Sequence, residues 1–371
     1  MKFILISPKN RTAYNFRGDL IKDIISCGYE VIVTGPDREN VEKIEELGAR
    51  FVEIPMNKNG VNPLEDLKYQ KALTELFKKE KPDVTLGYTS KPVIYGSIAA
   101  KKAKVPRIVS MVTGAGYAFT AKSAKAKIIK TIMSFLYRKA FRCADCVIFQ
   151  NSDDKNEFVN ASLVKESKCR IVNGSGVDTD KFAVCDYPDE ITFFMLSRLL
   201  KSKGVGEYLE AAESVKKEHP EIQFALLGKY ETEMQDAIGK AEIERYINDG
   251  IITRYDETND VRPYYEKCSV YVLPSYREGT PRTVLEAMSM GRAIITSDAP
   301  GCRETVIDGK TGFLTKVKDS SSVAEKMLEF INNPELISKL GKESAAYCRD
   351  KFDVKKVNKD MLSYLQIERN E

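Results

Sequence analysis

The chain contains no tryptophan and one histidine among its 371 residues. That histidine, His219, stands in the charged run Lys216-Lys217-Glu218-His219-Pro220 at the end of a helical pattern, so a solvated imidazole is expected. A Ser-His-Asp triad or a histidine-ligated metal needs an imidazole set among its partners, and neither is expected here. Long apolar runs are also missing: nothing approaches the ~18 residues of a membrane span. The start, Met1-Lys2 followed by Phe3–Ile6, reads as a buried strand rather than a signal sequence, which predicts a cytoplasmic protein. No G-x-G-x-x-G follows the first strand of either half, so a dinucleotide cofactor is not favoured. Of the eight cysteines, Cys143 and Cys146 form the chain's one C-x-x-C. A structural zinc site wants four Cys or His ligands, so this pair reads as structural.

What is present is an ordinary balance, 43% hydrophobic and 30% charged, on a chain long enough for two cores. Short apolar runs alternate with helical patterns, the signature of parallel sheets wound on both faces. Strands are expected at Lys2–Ile6, Glu30–Thr34, Arg50–Ile54, Asp83–Leu86, Arg107–Val112 and Cys146–Gln150 in the first half. In the second they are expected at Thr192–Leu196, Gln223–Leu227, Ile251–Arg254, Val270–Leu273 and Ala293–Thr296. Helices fall between them, for example Gly18–Ser26, Leu67–Lys79, Val205–Lys217 and Arg282–Met290. The polar stretch Asp178–Asp189 marks the boundary. The expected architecture is α/β, two Rossmann-like doubly wound domains facing a cleft, residues 1–183 and 184–352, with a C-terminal helix over 353–371.

Charge is uneven. Residues 1–186 carry 31 Lys and Arg against 22 Asp and Glu, whereas residues 187–371 carry 27 against 32. Between Asp83 and Asp145 there is no acidic residue, yet there are twelve basic ones. Within that span Ala121–Arg142 reads as a helix mixing Ile128, Ile129, Ile132, Phe135 and Leu136 with Lys122, Lys125, Lys127 and Lys130. Such a helix suits an anionic membrane surface, each nearby basic residue adding about 1 kcal/mol. Its aromatics are not interleaved for base stacking, and nucleic acid is not expected.

The densest chemical signal is Glu278-Gly279-Thr280-Pro281-Arg282-Thr283-Val284-Leu285-Glu286, directly after the apolar strand Val270–Leu273. Thr280 suits a helix cap and Pro281 the first helical position, so free N–H groups stand between two carboxylates. A helix N-terminus flanked by acceptors suits a polyhydroxylated anion such as a nucleotide sugar. Farther upstream, strand Thr192–Leu196 runs into Ser197-Arg198-Leu199-Leu200-Lys201-Ser202-Lys203-Gly204. In the first half, Arg17 is expected to begin the helix after a long loop from Ser7 to Phe16, where it could share a phosphate with the helix N-terminus. Gly114 and Gly116 follow a strand end and leave room for close backbone approach.

The segment Glu278–Glu286 with its Pro-Ser-x-x-Glu-Gly lead-in resembles the Glu-x7-Glu motif of the retaining nucleotide-sugar glycosyltransferases of family 4. Arg198 and Lys203 match that family's diphosphate clamp, and Val172–Phe182 is similar to its interdomain connection. In the first half, Tyr14–Arg17 and Thr113–Tyr117 resemble a bacterial branch that adds N-acetylhexosamine to polyprenyl-diphosphate-linked sugars.

The resemblance implies transfer of a sugar from a UDP-sugar to a hydroxyl of a lipid-linked glycan, with retention and with no metal or other cofactor. It implies Arg198 and Lys203 on the leaving diphosphate and Glu278 on the transferred sugar. Glu286 would take the ribose, with backbone around Gly279, Thr280 and Pro281 supporting the donor. Arg17, Gly114 and Gly116 are assigned to the acceptor. By the same resemblance the C-terminal helix packs on the first domain, and the enzyme works at the inner face of the cell membrane. The family's usual active-site histidine has no counterpart here. A nucleotide-sugar epimerase and a non-catalytic membrane-associated donor-binding subunit are the alternative readings.

Overall fold

The computed structural model describes residues 1–57, 62–114, 124–231, 234 and 236–368, with side chains from residue 128 onward in the helix Ala124–Cys143. The chain divides into two compact units, Met1–Ser175 with Lys355–Glu371, and Gly176–Val354.

In the first unit, β1 (Lys2–Ile6), β2 (Glu30–Gly35), β3 (Arg50–Glu53), β4 (Val84–Tyr88), β5 (Arg107–Val112), β6 (Cys146–Phe149) and β7 (Cys169–Ile171) form one sheet in the order β3-β2-β1-β4-β5-β6-β7. Its ladders are parallel, with Lys2 opposite Glu30 and Phe3 opposite Val84. Central strands covered on both faces must be apolar throughout. Successive residues of β1 therefore enter different cores: Ile4 and Ile6 meet Leu73, Phe77 and Phe141, while Phe3 and Leu5 meet Leu20, Ile24, Met361 and Leu365. The last two come from the C-terminal helix Val354–Leu365, which thereby completes a core of the first unit.

The second unit repeats the plan. Its strands β8 (Thr192–Leu196), β9 (Gln223–Leu227), β10 (Thr253–Tyr255), β11 (Val270–Leu273), β12 (Ala293–Ser297) and β13 (Gly312–Thr315) run in the order β10-β9-β8-β11-β12-β13, again in parallel. In both units the order reverses beside the first strand, between β1 and β4 and between β8 and β11. Open α/β sheets bind ligands at the carboxyl ends of strands flanking such a switch point.

Three local features differ from the sequence reading. The division falls at Ser175–Gly176 rather than at 183/184, because Val177 exchanges backbone hydrogen bonds of 2.9 Å with Phe352 and Val354, and Phe182 enters the second core. Strands β7 and β13 were not expected; each is a short edge strand with no apolar run of its own. The long first loop does not exist either: the helix begins at Asn10, not Gly18. Its polar first turns are anchored by Asn10, whose amide donates to the carbonyls of Asp37 at 3.0 Å and Glu39 at 2.7 Å. Gly35 makes room for that side chain, since a Cβ there would stand 1.8 Å from Asn10 Oδ1.

Candidate functional site at the switch point of the second sheet

The loop after β8 carries Arg198, then a single 3-10 turn, Lys201–Lys203, closed by Gly204 in the left-handed conformation at φ 74°. A Cβ on Gly204 would stand 2.2 Å from the carbonyl oxygen of Pro274, so the loops after β8 and β11 meet backbone to backbone. Tyr276 N donates to Ser202 O at 2.9 Å, which ties the same two loops again. The loop after β12 joins them: Glu278 N donates to Pro300 O at 2.9 Å, and a Cβ on Gly301 would stand 2.2 Å from Glu278 O.

On that backbone frame the Lys203 ammonium pairs with Glu278 Oε1, the two side chains being 20% and 14% exposed. The buried Ser275 hydroxyl donates to the same carboxylate oxygen at 2.8 Å. Arg198 is exposed, and its guanidinium makes no hydrogen bond or ion pair with the described residues. The site thus brings Lys203 and Glu278 together and leaves Arg198 in the solvent beside β8.

The helix that carries Glu286 spans Arg282–Ser289, with Pro281 as its cap residue and no side-chain capping bond. The expected cap at Thr280 with Pro281 as first helical residue is therefore displaced by one position. Pro281 sits at φ −73° and ψ 108°, extended rather than helical, so it ends the loop instead of starting the helix. Glu286 Oε1 accepts from Arg282 Nε at 3.2 Å, and Tyr265 Oη lies 3.2 Å from Oε2. Burial raises the Glu286 carboxyl above its ordinary range, and its hydrogen bonds to Arg282 and Tyr265 oppose that shift only in part.

Sequence reasoning missed Ser275, Arg282 and Tyr265. Arg282 lies inside the motif and its i,i+4 spacing from Glu286 is a sequence signal for their pair, whereas Ser275, in the lead-in, is turned onto Glu278 by the fold. Tyr265 is distant in sequence and completely buried, and reads as a core aromatic. The segment Gly301-Cys302-Arg303-Glu304 of the loop after β12 lies against the Glu278 loop. Cys302 is buried, its thiol pushed up to about 12 by burial first and by Glu278 second, and Arg303 pairs with Asp298 at 2.6 Å.

In the first unit, Arg17 lies inside the helix Asn10–Ser26, not at its start, and only 4% of it is exposed. Its guanidinium stands over the ring of Tyr88, 5.6 Å from the centroid, at the end of β4. The Tyr88 hydroxyl bonds with those of Ser7 at 2.5 Å and Thr12 at 2.9 Å, so Arg17 stands at the switch point from within its helix rather than from the helix start. Gly114 follows β5 at φ 115°. Gly116 and Lys122 lie outside the described residues, as do the side chains of Lys125 and Lys127; Lys130 pairs loosely with Glu157 at 3.8 Å.

Cys143 and Cys146 are free thiols at the end of a helix and the start of β6. Among the described residues no three His, Cys, Asp or Glu side chains group as metal ligands. The one Asp-x-Asp sequence, Asp178-Thr179-Asp180, is a structural turn: Asp178 Oδ1 accepts from Asp180 N at 3.0 Å and Lys181 N at 2.9 Å, and Thr179 donates to Asp353 at 2.5 Å.

Comparison with known proteins bears on the family and the fold. Residues 177–346 match the family described as glycosyl transferases group 1, and residues 4–151 match glycosyl transferase 4-like proteins. The chain is 27% identical to the N,N'-diacetylbacillosaminyl-diphospho-undecaprenol alpha-1,3-N-acetylgalactosaminyltransferase of Campylobacter jejuni, over 93% of each chain. It is 28% identical to the UDP-Gal:alpha-D-GlcNAc-diphosphoundecaprenol alpha-1,3-galactosyltransferase of Escherichia coli, over 81% of this chain and 78% of that one. In fold it is similar to Anabaena HepE, solved in complex with UDP and glucose, with a TM-score of 0.80 at 16% identity over 99% of each chain. The chain belongs to the glycosyltransferases, a 4-like domain followed by a group 1 domain in the two-Rossmann B-type fold.

Proposed function

We propose that this glycosyltransferase moves an N-acetylhexosamine from a UDP-sugar to a hydroxyl of a polyprenyl-diphosphate-linked glycan, with retention and without a metal. The observation that carries the reading is the Lys203–Glu278 pair at the switch point of the second sheet, an ammonium and a carboxylate on one backbone frame. The names of the Campylobacter and Escherichia relatives support the acceptor class, and HepE in complex with UDP supports the nucleotide.

In the transfer, the bond between the anomeric carbon and the diphosphate oxygen breaks and a bond to the acceptor oxygen forms. The acceptor's proton passes to the departing diphosphate. Charge develops on that diphosphate, so fixed positive groups aimed at it lower the barrier. Lys203 has two further hydrogens beyond the one given to Glu278, and the exposed Arg198 supplies a bidentate partner. Glu278 then takes hydroxyls of the transferred sugar and Glu286 those of the ribose. The N–H groups of Gly279, Thr280 and the first helical turn support the donor. Arg17 and Gly114 mark the acceptor side in the first unit.

The acceptor class also asks for a membrane surface. No described helix is long and apolar enough to cross one. The helix Ala124–Cys143 exposes Ile128 at 62%, Ile132 at 50% and Phe135 at 63%, one stripe at helical spacing with Lys130 close by. An apolar stripe among basic residues suits the headgroup region of an anionic leaflet.

The test is product formation from a panel of nucleotide sugars with a polyprenyl-diphosphate monosaccharide in detergent. Release of UDP matched by a heavier lipid-linked product with an α linkage, undiminished by chelator, is the expected result. Isomerised donor without acceptor would instead mark an epimerase, and donor binding without turnover a non-catalytic subunit.

A further inference from the structure

Tyr265 belongs to the short helix Arg262–Glu266 and is completely buried. Its ring is fixed by an edge contact with Phe194 at 5.6 Å and a tilted one with Tyr271 at 5.7 Å. These contacts set the direction in which the phenol oxygen points. That oxygen lies 2.9 Å from the carbonyl of Thr283 and 3.2 Å from Glu286 Oε2. A phenol has one hydrogen to give, and a carbonyl can only accept. When Glu286 is ionised the hydrogen serves the carboxylate. When Glu286 carries a proton, that proton can point at the phenol oxygen and the phenol's own hydrogen can serve Thr283. Arg282 holds the other oxygen, Oε1, at 3.2 Å in either case.

We infer that Tyr265 is a positioning residue of the donor site: by holding Oε2 while Arg282 holds Oε1, it fixes the plane of the Glu286 carboxylate so that its remaining lone pairs face the two vicinal hydroxyls of the donor's ribose. This rests on the reading of Glu286 as the ribose acceptor. The groups that act on Glu286 are Arg282 from its own helix, Tyr265 and Tyr271 from the core, and Lys181 from the segment before β8. Of the tyrosines, only Tyr265 bonds to the carboxylate, and that bond favours the ionised form that a ribose hydroxyl needs. Its loss therefore raises the pH at which Glu286 becomes a good acceptor.

The experiment is calorimetric titration of the full-length enzyme and its Tyr265→Phe variant with UDP and with 2′,3′-dideoxy-UDP, between about pH 5 and pH 8. Tyr265→Phe is expected to weaken UDP about tenfold, the effect of losing one hydrogen bond to a charged group. The weakening should disappear with the dideoxy nucleotide, whose phosphates titrate in the same way. The acid side of the UDP affinity profile should also move to higher pH in the variant. Equal weakening of both nucleotides, or unchanged UDP affinity, overturns the inference.

Glu286→Ala separates the two levels of the argument. If it leaves UDP affinity unchanged, the ribose reading itself fails. If it weakens UDP while Tyr265→Phe does not, only the inference falls. Should the Phe variant melt far below its parent, the double variant with Glu286→Ala decides: a further, additive weakening of UDP contradicts positioning through Glu286, and no further weakening upholds it.

Discussion

Replacing Lys203 with Gln tests whether the ion pair at the second switch point works on the reaction or only on the fold. Lys203 and Glu278 are 20% and 14% exposed, between an open surface pair and a fully buried one. Breaking a buried pair costs about 3–5 kcal/mol and a surface pair about 0–1 kcal/mol. Here Ser275 still donates to Glu278 at 2.8 Å after the change, so the remaining carboxylate is not stranded. A loss of about 1–2 kcal/mol follows, or about 3–6 °C in melting temperature for a unit of this size. Against an ordinary stability of about 5–15 kcal/mol the variant stays folded. Removing one fixed charge from a developing anion costs far more in rate, about 100- to 1000-fold in kcat. The two effects are thus separable: circular-dichroism melting reads the first, and UDP release at saturating donor and acceptor reads the second. A melting drop of this size with kcat within about fivefold of the parent would show that Lys203 only neutralises Glu278, and would refute its role at the leaving group.

Gly301→Ala is expected to abolish donor binding and to cost about 1–3 kcal/mol of stability. Its backbone is at φ 81° and its new Cβ would meet Glu278 O at 2.2 Å, so retained UDP affinity would mean that the Glu278 loop is not part of the site. Glu286 is raised by burial above its ordinary 4.5, so it lends stability below that value and loses it as pH rises through its folded value. Glu286→Gln should accordingly melt above its parent near pH 8 and level with it near pH 4; an identical difference at both would contradict the burial argument. Changing Ile128, Ile132 and Phe135 together to Ser removes about 3 kcal/mol of apolar insertion, or about 100-fold in binding to anionic vesicles. Vesicle binding equal to the parent's would make that stripe an ordinary solvated face.

The sheets were readable because parallel strands buried on both faces are unbroken apolar runs. Phe3–Ile6 and Val270–Leu273 announce themselves without reference to anything else in the chain. The strands that were missed, Cys169–Ile171 and Gly312–Thr315, are edge strands whose existence depends on neighbours that a sequence does not display. The first helix fails for a related reason. Its start at Asn10 is fixed by two carbonyls after β2, far along the chain, and its first turns are polar, so no local periodicity marks them. At the candidate site, the Glu278–Glu286 and Arg198–Lys203 segments stand out as motifs in the sequence, whereas Tyr265 does not. A buried tyrosine is ordinary core until the fold turns its one polar atom onto a carboxylate.

That division between legible and hidden residues has a physical origin in how the site is held. The loops after β8, β11 and β12 meet through their backbones as well as through the Lys203–Glu278 pair. They meet where Gly204 lies against Pro274 O, where Gly301 lies against Glu278 O, and where Tyr276 N reaches Ser202 O. Backbone contacts of this kind leave the charged side chains with few structural duties. On the proposed reading Lys203 then turns its two further hydrogens to phosphate oxygens while the frame stays in place. In the proposed mechanism the burden falls on preorganised donors facing the leaving diphosphate rather than on a titrating base. In that proposal the acceptor proton goes to the diphosphate itself, and no protein group changes its protonation state between binding and release.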